Sequence, residues 1–139
     1  MPHGNTEGLG LTDGEFIEWK RLRASLTVIN KVLQGELIVC MSSCFGAAAG
    51  KMAMTEYEVA PFRALVGNVC EAEWSDAAIG FVAFYHRLFK GADFPTALAA
   101  MKTASGDDHF SIEFGEETRE KWTFLLAKIR AGELGEEIR

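Results

Sequence analysis

Two short motifs of this chain carry residue types that could do chemistry. His3-Gly4 stands at the start, and Ser43-Cys44-Phe45-Gly46 follows the most apolar segment. A free thiol is only a few per cent thiolate near neutral pH, so a nucleophilic cysteine needs a base such as histidine. A glycine beside each reactive residue lets main-chain N–H groups approach a developing oxyanion. The pattern predicts a Cys–His hydrolase site.

The elements around these motifs predict where the two reactive residues lie in the fold. The apolar run 36–41 is typical of a strand that is covered on both faces of a parallel sheet. Strands that alternate with helices predict such a sheet, with its chemistry at the carboxyl ends of the strands. We therefore expect an α/β three-layer sandwich, with a mostly parallel sheet flanked by helices. Only Met1 and Pro2 precede His3, so we expect the N-terminal strands of this sheet to be missing.

The remaining sequence predicts further helices and strands. The first twelve residues are rich in glycine and are interpreted as a loop, and Thr12-Asp13-Gly14-Glu15 is a capping-box pattern that predicts a helix start. Downstream the patterns predict a helix ending at Gly35, a strand over 63–67, a helix capped by Ser75 or Asp76, a helix from Pro95 to about Thr103, an edge strand over 109–114 and a helix over 116–130.

Composition narrows the classes of protein and partner. The length of 139 residues suits one domain, taken as 1–132, followed by an acidic tail over 133–139. A net charge of −6 disfavours nucleic acid as the main partner, and no apolar run is long enough to span a membrane. With no signal-peptide pattern, an odd number of cysteines predicts a reducing cytoplasm rather than a disulfide scaffold.

The motifs resemble those of the caspase-like group of cysteine peptidases, which includes caspases, gingipains, separases and the CHAT-type peptidases of bacteria. The group's pattern is a strand ending in His-Gly, a helix, and an apolar strand ending in a small residue, Cys, any residue and Gly. Those positions are His3-Gly4 and Ser43-Cys44-Phe45-Gly46. The stretches 61–67, 75–78 and 81–91 resemble the next strand and helix of CHAT proteins. The resemblance covers essentially the whole chain, but only the C-terminal part of the group's domain.

The resemblance implies a role for each of these residues. Cys44 would be the nucleophile, His3 the base, and the N–H groups of Gly4 and Cys44 the oxyanion hole. The chain would then cleave a protein or peptide substrate through an acyl-enzyme, with no metal or cofactor. Cys40 and Cys70 are expected to fill space rather than react.

Other interpretations of the same residues remain open. The chain could be an inactive caspase-like interaction module, or an α/β thiol hydrolase that acts on a small amide or ester. A zinc site from Cys40, Cys44 and Cys70 is disfavoured because their C-x3-C spacing lacks a second paired motif. In either case, an exposed sheet edge would favour pairing with a partner segment, another chain or a second copy.

Overall fold

A computed structural model describes residues 3–132, which form two small sheets and four α-helices. Met1, Pro2 and the predicted acidic tail 133–139 lie outside the described residues. In chain order the elements are β1 (His3–Asn5), β2 (Gly8–Gly10), β3 (Phe16–Glu18), α1 (Trp19–Val32), β4 (Ile38–Met41), a 3₁₀ segment (Gly46–Ala53), β5 (Ala64–Asn68), α2 (Trp74–Phe89), α3 (Phe94–Ser105), β6 (Phe110–Phe114) and α4 (Gly115–Arg130).

The first three strands form an antiparallel N-terminal sheet in the order β1-β2-β3. The side chain of Asn5 closes the first turn, because its Oδ1 accepts hydrogen bonds from the amides of Glu7 (2.7 Å) and Gly8 (3.1 Å). Asparagine favours such turns because its side chain substitutes for a backbone acceptor. The segment predicted as a loop is therefore a strand hairpin that carries His3 and Gly4 on its first strand.

The capping-box prediction for residues 12–15 is wrong. The Asp13 carboxylate accepts from the Glu15 amide at 2.9 Å, and the Leu11 amide donates to the Glu15 carbonyl at 2.7 Å, so these residues build the turn between β2 and β3. The helix begins only at Trp19. Asp and Thr side chains accept hydrogen bonds from the amides of a turn as readily as from those of a helix start. The same sequence pattern is therefore compatible with both structures.

The central sheet contains β4, β5 and β6 in that order, with β4 parallel and β6 antiparallel to β5. Two helices in succession, α2 and α3, separate β5 from β6, so the chain re-enters the sheet in the opposite direction. The fold is α/β with one antiparallel and one mixed three-stranded sheet. The predicted mostly parallel, caspase-like three-layer sandwich is thus wrong: the described residues contain one parallel strand pair.

Both faces of the central sheet are covered, which explains why β5 is buried along its whole length. Leu65 faces a core made with α1 and the 3₁₀ segment, and Val66 faces a core made with α2 and α3. The largest fully buried side chains include Phe62, Phe84 and Phe110. Parallel pairing, with Cys40 opposite Val66 and Met41 opposite Gly67, places the carboxyl ends of β4 and β5 side by side.

Several element predictions are confirmed with small shifts in their bounds. The predicted edge strand is observed as β6, and α3 begins as predicted with Pro95 in its first turn and Asp93 Oδ1 accepting from the Thr96 amide at 2.9 Å. Between residues 3 and 132, no helix is both long and apolar enough to cross a membrane.

Candidate functional site

Cys44 lies in the tight loop between β4 and the 3₁₀ segment, just past the carboxyl end of β4 as predicted. The loop turns sharply at Phe45, whose φ of 54° is left-handed. Its amide donates to the Cys70 carbonyl at 2.9 Å, and the Gly46 amide donates to the Ser43 carbonyl at 3.1 Å. A Cβ at position 46 would stand 2.5 Å from the Met41 carbonyl oxygen, so the turn requires glycine. The thiol-bearing loop is therefore held by backbone bonds on both sides.

The N-terminal sheet packs directly on this loop at Gly4. A Cβ placed on Gly4 would lie 2.2 Å from the Cys44 carbonyl oxygen and 3.0 Å from Ser43 Oγ. Only a residue without a side chain permits so close an approach. The structure thus brings together the two motifs that the sequence singled out, although they lie on different sheets.

The His3 imidazole and the Cys44 thiol are not hydrogen-bonded to each other. His3 is exposed at the start of β1, while Cys44 is half-buried. The thiol instead donates to the Ala72 carbonyl, with an Sγ–O distance of 3.8 Å. The main chains of the two motifs are in contact at Gly4, but successive strand residues face opposite sides, so the His3 side chain lies on the other face of β1 from the Cys44 loop.

The backbone amides around Cys44 differ in whether they are free to bind an anion. The amides of Phe45 and Gly46 are both occupied by carbonyl acceptors. The Cys44 amide has no acceptor among residues 3–132. It therefore remains available for the oxyanion role that the resemblance gives it.

One buried hydroxyl beside the loop has no partner. Ser43 is 2% exposed, and its Oγ makes no hydrogen bond within the described part of the chain. An unpaired buried hydroxyl costs stability, roughly 1–3 kcal/mol. Ser43 lies next to Gly4, so the unpaired hydroxyl is located where the two motifs meet.

Cys40 and Cys70 occupy different surroundings from Cys44. Cys40 is on β4, where burial raises the pKa of its thiol and a hydrogen bond with Tyr85 acts in the opposite direction. Cys70 is half-buried after β5, with its amide bonded to Asn68 Oδ1 at 2.8 Å. The raised pKa lowers the thiolate fraction of Cys40 at neutral pH and so makes it a poor nucleophile.

A polar network below the Cys70 loop was missed by the sequence reasoning. Asn68 is 1% exposed and donates to Asp107 Oδ2 at 2.8 Å, while Asp107 Oδ1 accepts from the amide of His109 and contacts its Nδ1 at 2.8 Å. Burial acts to raise the pKa of Asp107, but hydrogen bonds from His109 and Asn68 outweigh it, and the pKa lies below its usual value. The one sequence feature that could have indicated this network is Asn68 itself, a polar residue at the end of the apolar strand β5.

The chemistry open to the site is that of a thiol, an exposed imidazole and a free amide. No set of three His, Cys, Asp or Glu side chains in residues 3–132 is placed to hold a metal ion. No family model, curated protein or solved structure matches this chain. Function must therefore be inferred from the geometry at Cys44 and from the motif resemblance.

Proposed function

We propose that this chain is a cysteine peptidase in which Cys44 is the nucleophile and His3 the general base. The observation that carries the proposal is the contact of Gly4 with the Cys44 carbonyl, which leaves no room for a Cβ between them. Through this contact, the strand that carries His3 touches the loop that carries the thiol. The motif resemblance to caspase-like peptidases supports the same assignment of roles.

The chemistry needs three contributions from these residues. His3 takes the thiol proton, and the thiolate attacks the peptide carbonyl carbon. The amides of Gly4 and Cys44 stabilise the oxyanion of the tetrahedral intermediate, a role for which loss of one donor costs about 10²–10³ in rate. Collapse breaks the C–N bond, and His3 returns its proton to the leaving amine. Water then hydrolyses the thioester by the same steps and frees the thiol.

The exposed position of His3 is compatible with this role. Catalytic hydrogen bonds are often long in a site without substrate and shorten when substrate binds. The thiol would have to leave the Ala72 carbonyl, which lies 3.8 Å from its Sγ. Successive strand residues face opposite sides, and Gly4 faces the Cys44 loop, so the proposal also requires β1 to shift before the imidazole can meet the thiol.

Alkylation kinetics test the dyad without a known substrate. Iodoacetamide labelling across pH, read by mass spectrometry, gives separate rates for Cys40, Cys44 and Cys70. We expect Cys44 to react fastest at pH 6–7, because a paired imidazole raises its thiolate fraction. His3→Ala should remove that advantage, whereas His86→Ala, an exposed histidine on α2, should not.

The result that contradicts the dyad is equally specific. If Cys44 reacts no faster than Cys70 and His3→Ala changes neither rate, Cys44 and His3 do not act together. In a cleavage assay, Cys44→Ala should abolish turnover while Cys40→Ala keeps it. Equal loss from both variants would show that the effect comes from folding.

A non-catalytic interaction module is the second candidate, and the hydrogen bond from the Cys44 thiol to Ala72 favours it. That bond satisfies the thiol without any base. Ordinary Cys44 reactivity in a folded chain would support this function. If Cys44 is reactive, inhibition by extended peptides rather than turnover of small amides separates a peptidase from a thiol hydrolase.

A further inference from the structure

A small pocket, here called the α2 pocket, opens between the end of β4 and α2. Cys40 and Ser42 line one side of it, and Trp74 and Phe81 of α2 line the other. Its volume is about 360 Å³. Small-molecule sites span about 300–1,000 Å³. The α2 pocket is at the lower end of that range, which suits a single large side chain.

The chain holds the α2 pocket close to the Cys44 thiol. Ser42 is two residues before Cys44, and Trp74 is two residues after Ala72, whose carbonyl oxygen accepts from the thiol at an Sγ–O distance of 3.8 Å. Two residues of extended chain span at most about 7 Å. Both walls of the pocket therefore begin within one or two residues of the thiol's own contact. A side chain next to a peptide bond attacked by Cys44 is within reach of the pocket.

The aromatic wall of the pocket is fixed by ring contacts. Phe81 is 8% exposed, and its ring packs edge-on against Phe110 with the centroids 5.9 Å apart. The ring of Tyr85, which also lines the pocket, lies 6.3 Å from that of Phe81. Trp74 is exposed at the start of α2. A preformed apolar wall binds an apolar group without the cost of ordering itself.

The pocket carries no charge at neutral pH. In the part of the chain that the structure describes, no Asp, Glu, Lys, Arg or His lines it. Cys40 and Tyr85 keep their protons, because burial raises the pKa of the Cys40 thiol and raises the pKa of Tyr85 to about 12. A charged side chain would lose its hydration here without gaining an ionic partner. An aromatic or large aliphatic side chain would instead be favoured, because it removes apolar surface from water.

We propose that the α2 pocket binds a large apolar side chain of the peptide substrate, on the residue whose carbonyl carbon Cys44 attacks. This inference rests on the proposed peptidase function and adds its substrate class. Successive side chains of an extended peptide point to opposite sides, so one side chain next to the scissile bond enters the pocket while its neighbour points away. The chain therefore prefers Phe or Leu at that residue and disfavours Asp, Arg and Ala.

Peptidyl chloromethyl ketones test the preference without a known substrate. A matched series carries Phe, Leu, Ala, Asp or Arg next to the reactive group, and mass spectrometry measures how fast each labels Cys44 as its thiolate displaces chloride. We expect Phe and Leu to label Cys44 at least tenfold faster than Ala, since even one methylene group in an apolar pocket is worth about 10–200-fold. Asp and Arg should label no faster than Ala.

A charge placed in the pocket should change the preference. Ala78 lines the α2 pocket and is exposed on α2, so its replacement leaves the core intact. Ala78→Asp should slow labelling by the Phe inhibitor at least tenfold and speed labelling by the Arg inhibitor, because the new carboxylate pairs with the guanidinium. Ala99→Asp is the matched control at an exposed position of α3 that does not line this pocket, and it should change neither rate.

The outcomes separate this inference from the proposed function. If all five inhibitors label Cys44 at one rate that exceeds the rate for Cys70, the peptidase function stands and the pocket assignment is wrong. A preference for Asp or Arg in the unchanged chain, or a Phe-to-Arg ratio that Ala78→Asp leaves unchanged, would overturn the assignment as well. If every inhibitor labels Cys44 no faster than Cys70, the peptidase function fails and the pocket assignment fails with it.

Discussion

Replacing Gly4 with alanine tests whether the contact between the N-terminal sheet and the Cys44 loop positions the reactive residues. The new Cβ would stand 2.2 Å from the Cys44 carbonyl oxygen, whereas ordinary contacts begin near 3.4 Å. The main chains must therefore move apart by about 1 Å. A misplacement of reacting groups by this distance can lower a reaction rate by about 10²-fold. The contact joins two backbones, so no side chain can rotate to relieve it.

The assay is the alkylation rate of Cys44 relative to Cys70 in the same molecule. In Gly4→Ala, the His3-dependent excess of the Cys44 alkylation rate over the Cys70 rate should fall by roughly 10²-fold, while the far-UV circular dichroism spectrum stays native. Gly10→Ala is the control on the same sheet, since its Cβ would lie 3.3 Å from the His3 carbonyl and needs only a small adjustment. An unchanged Cys44 rate in Gly4→Ala would refute the argument that this contact organises the site.

Three further variants test the packing and the buried network. Asn68→Ala removes a donor to Asp107 and an acceptor for the Cys70 amide, so urea unfolding should show a loss of about 1–3 kcal/mol. The lowered pKa of Asp107 means that its ionised form stabilises the fold above the unfolded pKa, and this stabilisation is lost as pH falls through the folded pKa. The urea midpoints of wild type and Asp107→Asn should therefore converge between pH 7 and pH 3, and a constant difference would contradict this. Phe84→Ala should cost about 3–5 kcal/mol, while exposed Phe124→Ala changes stability by less than about 0.5 kcal/mol.

The sequence predicted the elements that depend on long apolar patterns. The run 36–41 is observed as β4 (Ile38–Met41). The helix predicted to be capped by Ser75 or Asp76 is observed as α2, but it begins at Trp74 with Glu73 as its N-cap, so the predicted cap is wrong. These elements are buried on one or both faces, so their side chains must be apolar at the spacing of a strand or a helix. The location of Cys44 after β4 followed from the same pattern.

The N-terminal sheet was not predictable because its strands have three residues each and carry no apolar alternation. Its stability comes from contacts with distant residues. Trp19 donates from Nε1 to the Thr6 carbonyl at 3.1 Å, and Lys51 Nζ donates to the same carbonyl at 2.8 Å. Tertiary contacts of this kind override local propensity, and the sequence alone does not state them.

The direction of β6 was also undetermined by the sequence pattern. A strand that follows one helix returns parallel, whereas two packed helices reverse its direction. The helices predicted after Ser75 or Asp76 and from Pro95 did not show whether the second one crosses the sheet. Gly80 faces Met101 at 3.2 Å from a hypothetical Cβ, so α2 and α3 pack closely. The two helices form a hairpin, and β6 therefore lies antiparallel to β5.

The division into two sheets has a consequence for how the site is assembled. The Cys44 loop is fixed by the central sheet through the Phe45–Cys70 backbone bond. His3 takes its position from the N-terminal sheet, which is tied to the rest of the chain by Trp19 and Lys51. His3 and Cys44, the proposed base and nucleophile, thus belong to separately supported structures that meet at Gly4. Weakening the Lys51 contact should therefore reduce Cys44 reactivity before it reduces the stability of the central sheet, because Lys51 is exposed and belongs to neither core.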